Sequence, residues 1–328
     1  LGLPAIKKAI SLALGQGQGL LGAEARMGAL LQPLFFKGVP QDSGLYRRFA
    51  MPFVDDKQYI PKVATTPFRS RVSFAGEKGW PVVTFFTGCM TNYVMTEIGD
   101  SLVKVLNALH IAVRVPSAQG CCGMPMLISG DREAVKKTAR RNVEALEASN
   151  PNEPVLVVCP SGGHMLRHGY LELFADDASM RGRLESLASR TMDVTEFLVH
   201  RVGVERLEQL VGKGRTRAVT YHDPCHLRKA QKVTQEPREI LAVAARSEIK
   251  EMRHPEACCG MGGTYFLTHL DMSKKIQSRK IEDIMETCAD CVATTCPGCI
   301  MQLRDGIRRS KDSGVAVKHV IQMLAEAF

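Results

Sequence analysis

The sequence predicts an α/β fold made of two tandem units, each built on a parallel sheet and preceded together by a helical linking segment. Three observations lead there. Short apolar runs rich in β-branched residues, PVVTFF (81 to 86), IAVRV (111 to 115) and PVLVVC (154 to 159), alternate with amphipathic stretches, as strand-helix-strand crossovers do. The cysteines Cys89, Cys121, Cys122 and Cys159 recur as Cys225, Cys258, Cys259 and Cys296, with an offset of 136 for the first and 137 for the others. One residue of drift is what duplication of a single unit leaves. The gaps, 31 and 36 residues in the first copy and 32 and 36 in the second, each hold one strand plus one helix, so every thiol group returns to the same sheet edge. At the carboxyl ends of parallel strands, side chains face the crevice in which such folds bind ligands.

Residues 1 to 75 read as a linker: helices over about 4 to 14 and 22 to 36, then an irregular stretch rich in Pro and Arg. It is expected to pack across the later units. The apolar stretch Ala9 to Leu14 is too short for a signal peptide, and the start at Leu1 reads as a fragment or a processed product. GQGLLG (17 to 22) matches the dinucleotide fingerprint letter for letter, but what precedes it has helical spacing, so a glycine break between two helices is expected. GMGGTYF (260 to 266) lacks the last glycine of such a cradle.

The first unit is expected over 76 to 212, with helices at 96 to 110, 131 to 148 (Asp131 near its start) and 195 to 211 between and after its strands. GKGR (212 to 215) marks the boundary. The second unit, 213 to 328, repeats the plan: strand RAVTYH (217 to 222), a helix around 236 to 246, strand SEIKEM (247 to 252), a long helix over about 263 to 286, strand DCVATT (290 to 295), then a short strand and a helix in the tail. Glycine flanks both Cys-Cys pairs because two adjacent thiols face one object only if the backbone turns tightly.

The 11 cysteines are an odd number, which excludes complete disulfide pairing, and Cys-x-x-Cys clusters in a large α/β chain read as metal or redox sites of a reducing compartment. The second unit offers five thiols, Cys225, Cys258, Cys259, Cys296 and Cys299, one more than a tetrahedral zinc ion uses; several irons bridged by sulfide suit that number better. The first unit keeps four, Cys89, Cys121, Cys122 and Cys159, because Gly162 stands where Cys299 stands in the second. Cys288 and Cys291 have no counterparts in the first copy and read as packed residues. His222 and His226, flanking Cys225, and His164 read first as structural, bonded to loop backbone; His226 is also a candidate donor to a cluster sulfur and His164 a candidate for the missing fifth ligand.

A net charge of +9 with clusters such as Lys136, Lys137, Arg140 and Arg141 invites a nucleic-acid reading, but aromatic residues are only 6% and no stacking platform or binding motif accompanies them. Solvated helix faces, with a share in docking an acidic partner, account for the charge. No apolar run approaches the length of a membrane span.

FTGCMTNY (86 to 93), GCCGMP (120 to 125), YHDPCH (221 to 226), ACCGMGG (257 to 263) and CPGC (296 to 299), in that order, resemble the cysteine-rich CCG domain family over about residues 80 to 328. Within it the chain is similar to the iron-sulfur subunits of glycolate oxidase, lactate dehydrogenase and anaerobic glycerol-3-phosphate dehydrogenase, and more distantly to the cysteine-rich subunit of heterodisulfide reductase. The resemblance implies two Rossmann-like CCG units and a non-cubane 4Fe-4S cluster on Cys225, Cys258, Cys259, Cys296 and Cys299. It leaves a 4Fe-4S cluster, a zinc ion or nothing for Cys89, Cys121, Cys122 and Cys159. It implies an upstream ferredoxin-like domain, which nothing in this chain matches.

Two functions compete. One is electron transfer, from a flavin-containing subunit that oxidises a 2-hydroxy acid such as lactate or glycolate to a quinone or another, membrane-bound acceptor, in the cytoplasm or at the inner face of the membrane. The other is thiol-disulfide catalysis at the cluster itself, as in heterodisulfide reductases. Gly162 weighs against two equivalent clusters. Zinc as a structural staple in both units is the third reading.

Overall fold

The computed structural model describes residues 18–38, 44–49, 58–148, 150–212, 217–245, 249–310 and 314–328. Its strands are β1 (Phe36–Gly38), β2 (Gly44–Arg47), β3 (Ile60–Pro61), β4 (Phe74–Ala75), β5 (Val82–Phe86), β6 (Ala112–Arg114), β7 (Val155–Val157), β8 (Thr191–Asp193), β9 (Val219–Tyr221), β10 (Cys291–Thr294) and β11 (Ala316–His319). The larger sheet runs β4-β6-β5-β7-β8, parallel throughout except for β4 at its edge, with Thr84 opposite Arg114 on one side and Val155 on the other. A second sheet runs β9-β10-β11, all parallel, and a single parallel bridge joins Val219 of β9 to Ile249. Strand neighbours therefore match between the copies: β9, β10 and β11 stand for β5, β7 and β8, and Ile249 stands for β6.

SEIKEM is thus not a full strand. Residues 246 to 248 lie outside the described residues, and beyond Ile249 the backbone leaves the ladder because the Asp283 carboxylate takes the N–H groups of Arg253 (2.9 Å) and His254 (3.1 Å). Two expected helices are also interrupted. The stretch 195 to 211 forms Val194–Phe197, a π-helical turn over Leu198–Val202 and, after Gly203, Val204–Leu210. The stretch 263 to 286 forms Tyr265–Thr268 and, after His269, Leu270–Glu286.

The helix expected at 4 to 14 lies outside the described residues. That expected at 22 to 36 spans Gln18–Phe35 and runs through Gly19 and Gly22, so the described part of GQGLLG is helical and not a break. Good helix formers on either side offset the cost of glycine, about 1 kcal/mol each. The stretch after it, expected to be irregular, contains the small antiparallel sheet β1-β2-β3. Gln32 holds this segment to itself through Pro61 O (3.0 Å) and the Val63 N–H (3.0 Å), and the Tyr59 N–H reaches Asp305 of the second unit (2.7 Å).

Alternation along the central strands builds the core. Val83, Phe85, Leu156 and Val158 face one cluster; Phe86, Val155 and Val157 face another, under the helices Arg132–Glu147 and Ala178–Arg190. The first cluster does not stop at the unit boundary. It continues through Val219, Tyr221, Val292, Ile300, Leu303, Ile321 and Leu324, and the last helix, Val320–Glu326, packs on Thr96–Ala108 of the first unit and Glu236–Ala245 of the second. Ile128 interlocks the copies further: its Cδ1 lies 2.5 Å from where a Cβ on Gly263 would sit.

Two polar devices aim the loops. Asn142, on Arg132–Glu147, accepts from the Gly120 N–H (2.6 Å) and donates to Cys121 O (2.8 Å) and to the Tyr170 hydroxyl (2.9 Å), which donates to Cys122 O (2.9 Å). All these groups are buried, so each depends on the others for its hydrogen bonds. The second device is His319, fully buried at the end of β11. Its Nε2–H is shared between Val158 O (3.0 Å) and Thr295 O (2.8 Å), while Nδ1 accepts from the Ile321 N–H (3.1 Å) and caps the last helix. Val158 precedes Cys159 and Thr295 precedes Cys296, so one ring ties the exits of β7 and β10 together.

Tyr170→Phe leaves Cys122 O and one Asn142 donor bond without a partner and is expected to cost about 1–3 kcal/mol, read as a lower urea midpoint at unchanged slope. Burial lowers the His319 pKa to about 4, and a proton added on Nδ1 would also face the Ile321 N–H. The unfolded chain then binds the extra proton first, so stability is full above pH 6.5 and falls towards pH 4, by about 3 kcal/mol in all at roughly 1.4 kcal/mol per unit. His319→Gln should lower stability at pH 7 and flatten that pH dependence in denaturant titrations.

Candidate metal centre

The thiols sit where strands end and helices begin. Cys89 follows β5 on the short helix Gly88–Tyr93; Cys159 and Cys296 follow β7 and β10 and stand just before the helices Pro160–His164 and Pro297–Arg309. Proline at the first helical position fixes the turn in both, since its missing N–H would have no partner there. Cys225 follows β9 and precedes a π-helical turn, His226–Gln231. Gly123 and Gly260, one after each Cys-Cys pair, both have φ +91°, left-handed backbone that lets the loop double back. A Cβ on Gly260 would lie 2.5 Å from Ser273 O, and one on Gly123 2.8 Å from Val135 Cγ1.

In the first unit, the Cys89 and Cys121 sulfurs are 4.0 Å apart, Cys122 adjoins Cys121, and Cys159 lies near enough to Cys89 to feel its charge. In the second, the Cys259 and Cys299 sulfurs lie within 4.8 Å of one another, Cys258 and Cys296 are near enough to shift their ionisation, and Cys225 feels both Cys259 and Cys296. Cys259, Cys296 and Cys299 are buried; Cys225 and Cys258 are exposed. The structure also shows a contact that spacing did not suggest. Cys159 and Cys296, one from each copy, lie near enough to shift one another's ionisation, beside the two carbonyls held by His319. The two thiol sets are neighbours.

Crowding decides the protonation of the thiols. Hydrogen bonding to a neighbouring thiol, then burial, raises Cys89, Cys159 and Cys258, and two such bonds raise Cys299. Hydrogen bonding to Cys122 raises Cys121, and burial raises Cys225. Cys259 and Cys296 are lowered well below the ordinary range, because each collects hydrogen bonds from two other thiols. Most of these crowded thiols are thus held protonated for want of a counter-charge, and a cationic metal group bound among them would ionise them outright. Backbone N–H groups already point at three of the sulfurs: Gly123 to Cys121 (3.5 Å), Gly260 to Cys258 (3.3 Å) and Cys299 to Cys296 (3.4 Å). The donor set fits a sulfur-liganded metal.

The histidines depart from the expectation of backbone-bonded loops. His226 Nδ1 pairs with the Ser161 hydroxyl of the other unit (2.9 Å), and its ring stacks parallel on His164 at 5.1 Å. His164 has a buried Nδ1 with no hydrogen-bond partner. His222 is buried, and one of its ring nitrogens lies with the sulfurs of Cys259 and Cys299 in a group whose atoms are all within 4.8 Å of one another. Sequence reasoning left His222 among the structural residues; its place three before Cys225 was the available signal. Cys291 is packed, its sulfur 3.9 Å from Met323 Sδ, whereas Cys288 is exposed, contrary to the expectation for both. Cys288 follows the end of Leu270–Glu286 with φ +51°, which turns it outwards.

Among the described residues no helix is long and apolar enough to cross a membrane. A family profile described as a cysteine-rich domain, CCG, matches residues 83–167 and again 219–304. An uncharacterized iron-sulfur protein of Methanococcus maripaludis is 33% identical over 302 residues, covering 90% of this chain and 56% of that protein. Lactate utilization protein A 2 of Bacillus cereus is 31% identical over 249 residues, 75% of this chain and 98% of its own length. One of the subunits of the fumarate reductase (CoM/CoB) of Methanothermobacter marburgensis is 30% identical over 257 residues, 78% of this chain and 48% of its own. The aligned part thus spans about half of two of these relatives and nearly all of the third. Each matched segment falls within one copy of the duplicated unit found in the sequence, and the chain belongs to the CCG cysteine-rich domain family.

Proposed function

We propose that this chain is an iron-sulfur electron-transfer subunit of a 2-hydroxy-acid dehydrogenase, for lactate or glycolate, with units at 76–212 and 213–328. The observation that supports the reading is that Cys225 and Cys296, which follow β9 and β10, stand with Cys258, Cys259 and Cys299 close enough for these thiols to shift one another's ionisation. The names of the relatives, an iron-sulfur protein, a lactate utilization protein and part of a reductase, point the same way. In this reading those five cysteines hold a non-cubane 4Fe-4S cluster, and Cys89, Cys121, Cys122 and Cys159 hold a second 4Fe-4S cluster or a zinc ion. Bound there, the cluster supplies one-electron redox chemistry. The protein's part is to bury three of the five sulfurs, and to direct the amides of Gly260 and Cys299 at Cys258 and Cys296, which tunes potential. A flavin-containing partner subunit would perform the substrate oxidation. The acceptor would be a quinone or a membrane-bound carrier, with the protein cytoplasmic or at the inner membrane face.

One observation favours the second reading, thiol-disulfide catalysis at the cluster. Cys159 against Cys296 brings the two thiol sets side by side, and Cys225 and Cys258 are open to a thiol substrate. The chain purified without oxygen should be brown and contain iron and sulfide, and Cys299→Ser should lower the iron of the second site while leaving the metal of the first. A colourless protein holding only zinc would overturn the proposal. The chain alone should not oxidise lactate or glycolate with a dye acceptor, and titration with a thiol should leave its spectrum unchanged; a thiol-dependent shift would favour the second reading.

A further inference from the structure

His222 stands out among the groups the proposed function leaves unused. It is 1% exposed at the exit of β9, its N–H is held by Ala293 O at 2.9 Å, and its ring reaches the sulfurs of Cys259 and Cys299. The ring already hydrogen-bonds Cys259 and helps to lower that thiol, so the imidazole faces the sulfurs, while its buried Nδ1 finds no partner in the bare chain.

The duplicated unit supplies an internal control. At the offset of 136, the position of His222 is Phe86, and at 137 the position of Cys299 is Gly162. Phe86 is buried, and its Cε1 and Cδ1 lie 3.5 and 3.7 Å from where a Cβ on Gly162 would be. A side chain at 162 would thus rest in ordinary contact on the phenyl ring, which offers a metal no nitrogen. Imidazole and thiol in one copy are phenyl and glycine in the other, so the two positions differ as a pair.

We propose that His222 is a nitrogen donor to the metal group of the second thiol site, next to Cys259 and Cys299, and that Phe86 with Gly162 closes the first site to the same contact. The inference rests on the reading of these thiols as a metal site. It adds that the second site has mixed nitrogen and sulfur surroundings and the first has sulfur alone. Imidazole is the harder donor, and exchanging it against thiolate changes both the ligand field and the potential of the metal held.

The test uses the full chain in two forms. Freed of metal and titrated with Co(II), the wild type should show absorption bands of a mixed nitrogen-sulfur field together with those of a sulfur-only site. His222→Phe, the first copy's residue, should abolish the mixed-field component and leave the sulfur-only bands. In the iron-loaded chain, the same variant should shift the reduction potential of one species or lose its iron, with His222→Gln giving a smaller effect. Should His222→Phe fail to fold by circular dichroism, Phe86→His with Gly162→Cys should bring mixed-field bands to the first site. Identical Co(II) spectra in wild type and His222→Phe, or no new bands in the double variant, would overturn the proposal. A chain that takes up no iron yet shows the His222-dependent Co(II) bands would reject the iron-sulfur reading alone.

Discussion

The N–H of His319, shared between the carbonyls of Val158 and Thr295, is the contact on which the arrangement of thiols depends. Each carbonyl lies one residue before a cysteine at the end of a central strand, so the two sheets are held with those exits adjacent. The neighbourhood of Cys159 and Cys296 follows from it. A charged residue in that place would meet a large desolvation penalty, and a purely apolar one would leave both carbonyls unsatisfied. A neutral imidazole, donor on one nitrogen and acceptor on the other, meets both demands and caps the last helix as well.

Much of this was readable in the sequence, because the signals were local or periodic. The strand runs ending at Cys89 and Cys159 are apolar on both faces, as central parallel strands must be, and the recurrence of the cysteines at a near-constant offset made the duplication visible from the residues alone. What escaped depends on groups far apart in the chain. Asp283 removes the backbone after Ile249 from the second sheet, and nothing near SEIKEM announces that. Cys288 and Cys291 looked alike on spacing, yet a single left-handed residue at the helix end sends the first into solvent. His222 and Phe86 correspond at the offset of 136, but what each of them touches is set by residues far along the chain.

The two copies keep the same strand neighbours and the same glycine turn after Cys-Cys, but differ in what surrounds the sulfurs. The first places its cysteine pair above the closed Asn142 and Tyr170 network and leaves neither Cys121 nor Cys122 exposed. The second leaves Cys225 and Cys258 open beside three buried sulfurs. Access is therefore one-sided. A single ancestral design has yielded a more enclosed site, with Cys89 and Cys159 partly exposed, and a more open one, neighbours at Cys159 and Cys296.

The placement of Ile128 against Gly263 carries a consequence for how such a chain can evolve. Each residue belongs to a different copy, and the methyl end of one fills the volume that any side chain on the other would need. A side chain at 263 would have to push aside the end of the half-exposed Ile128, and the left-handed backbone there, φ +63°, favours glycine in any case. Gene duplication usually releases one descendant to explore new sequence; here a glycine turn of one descendant lies against a side chain of the other, so a change at either is felt by its twin.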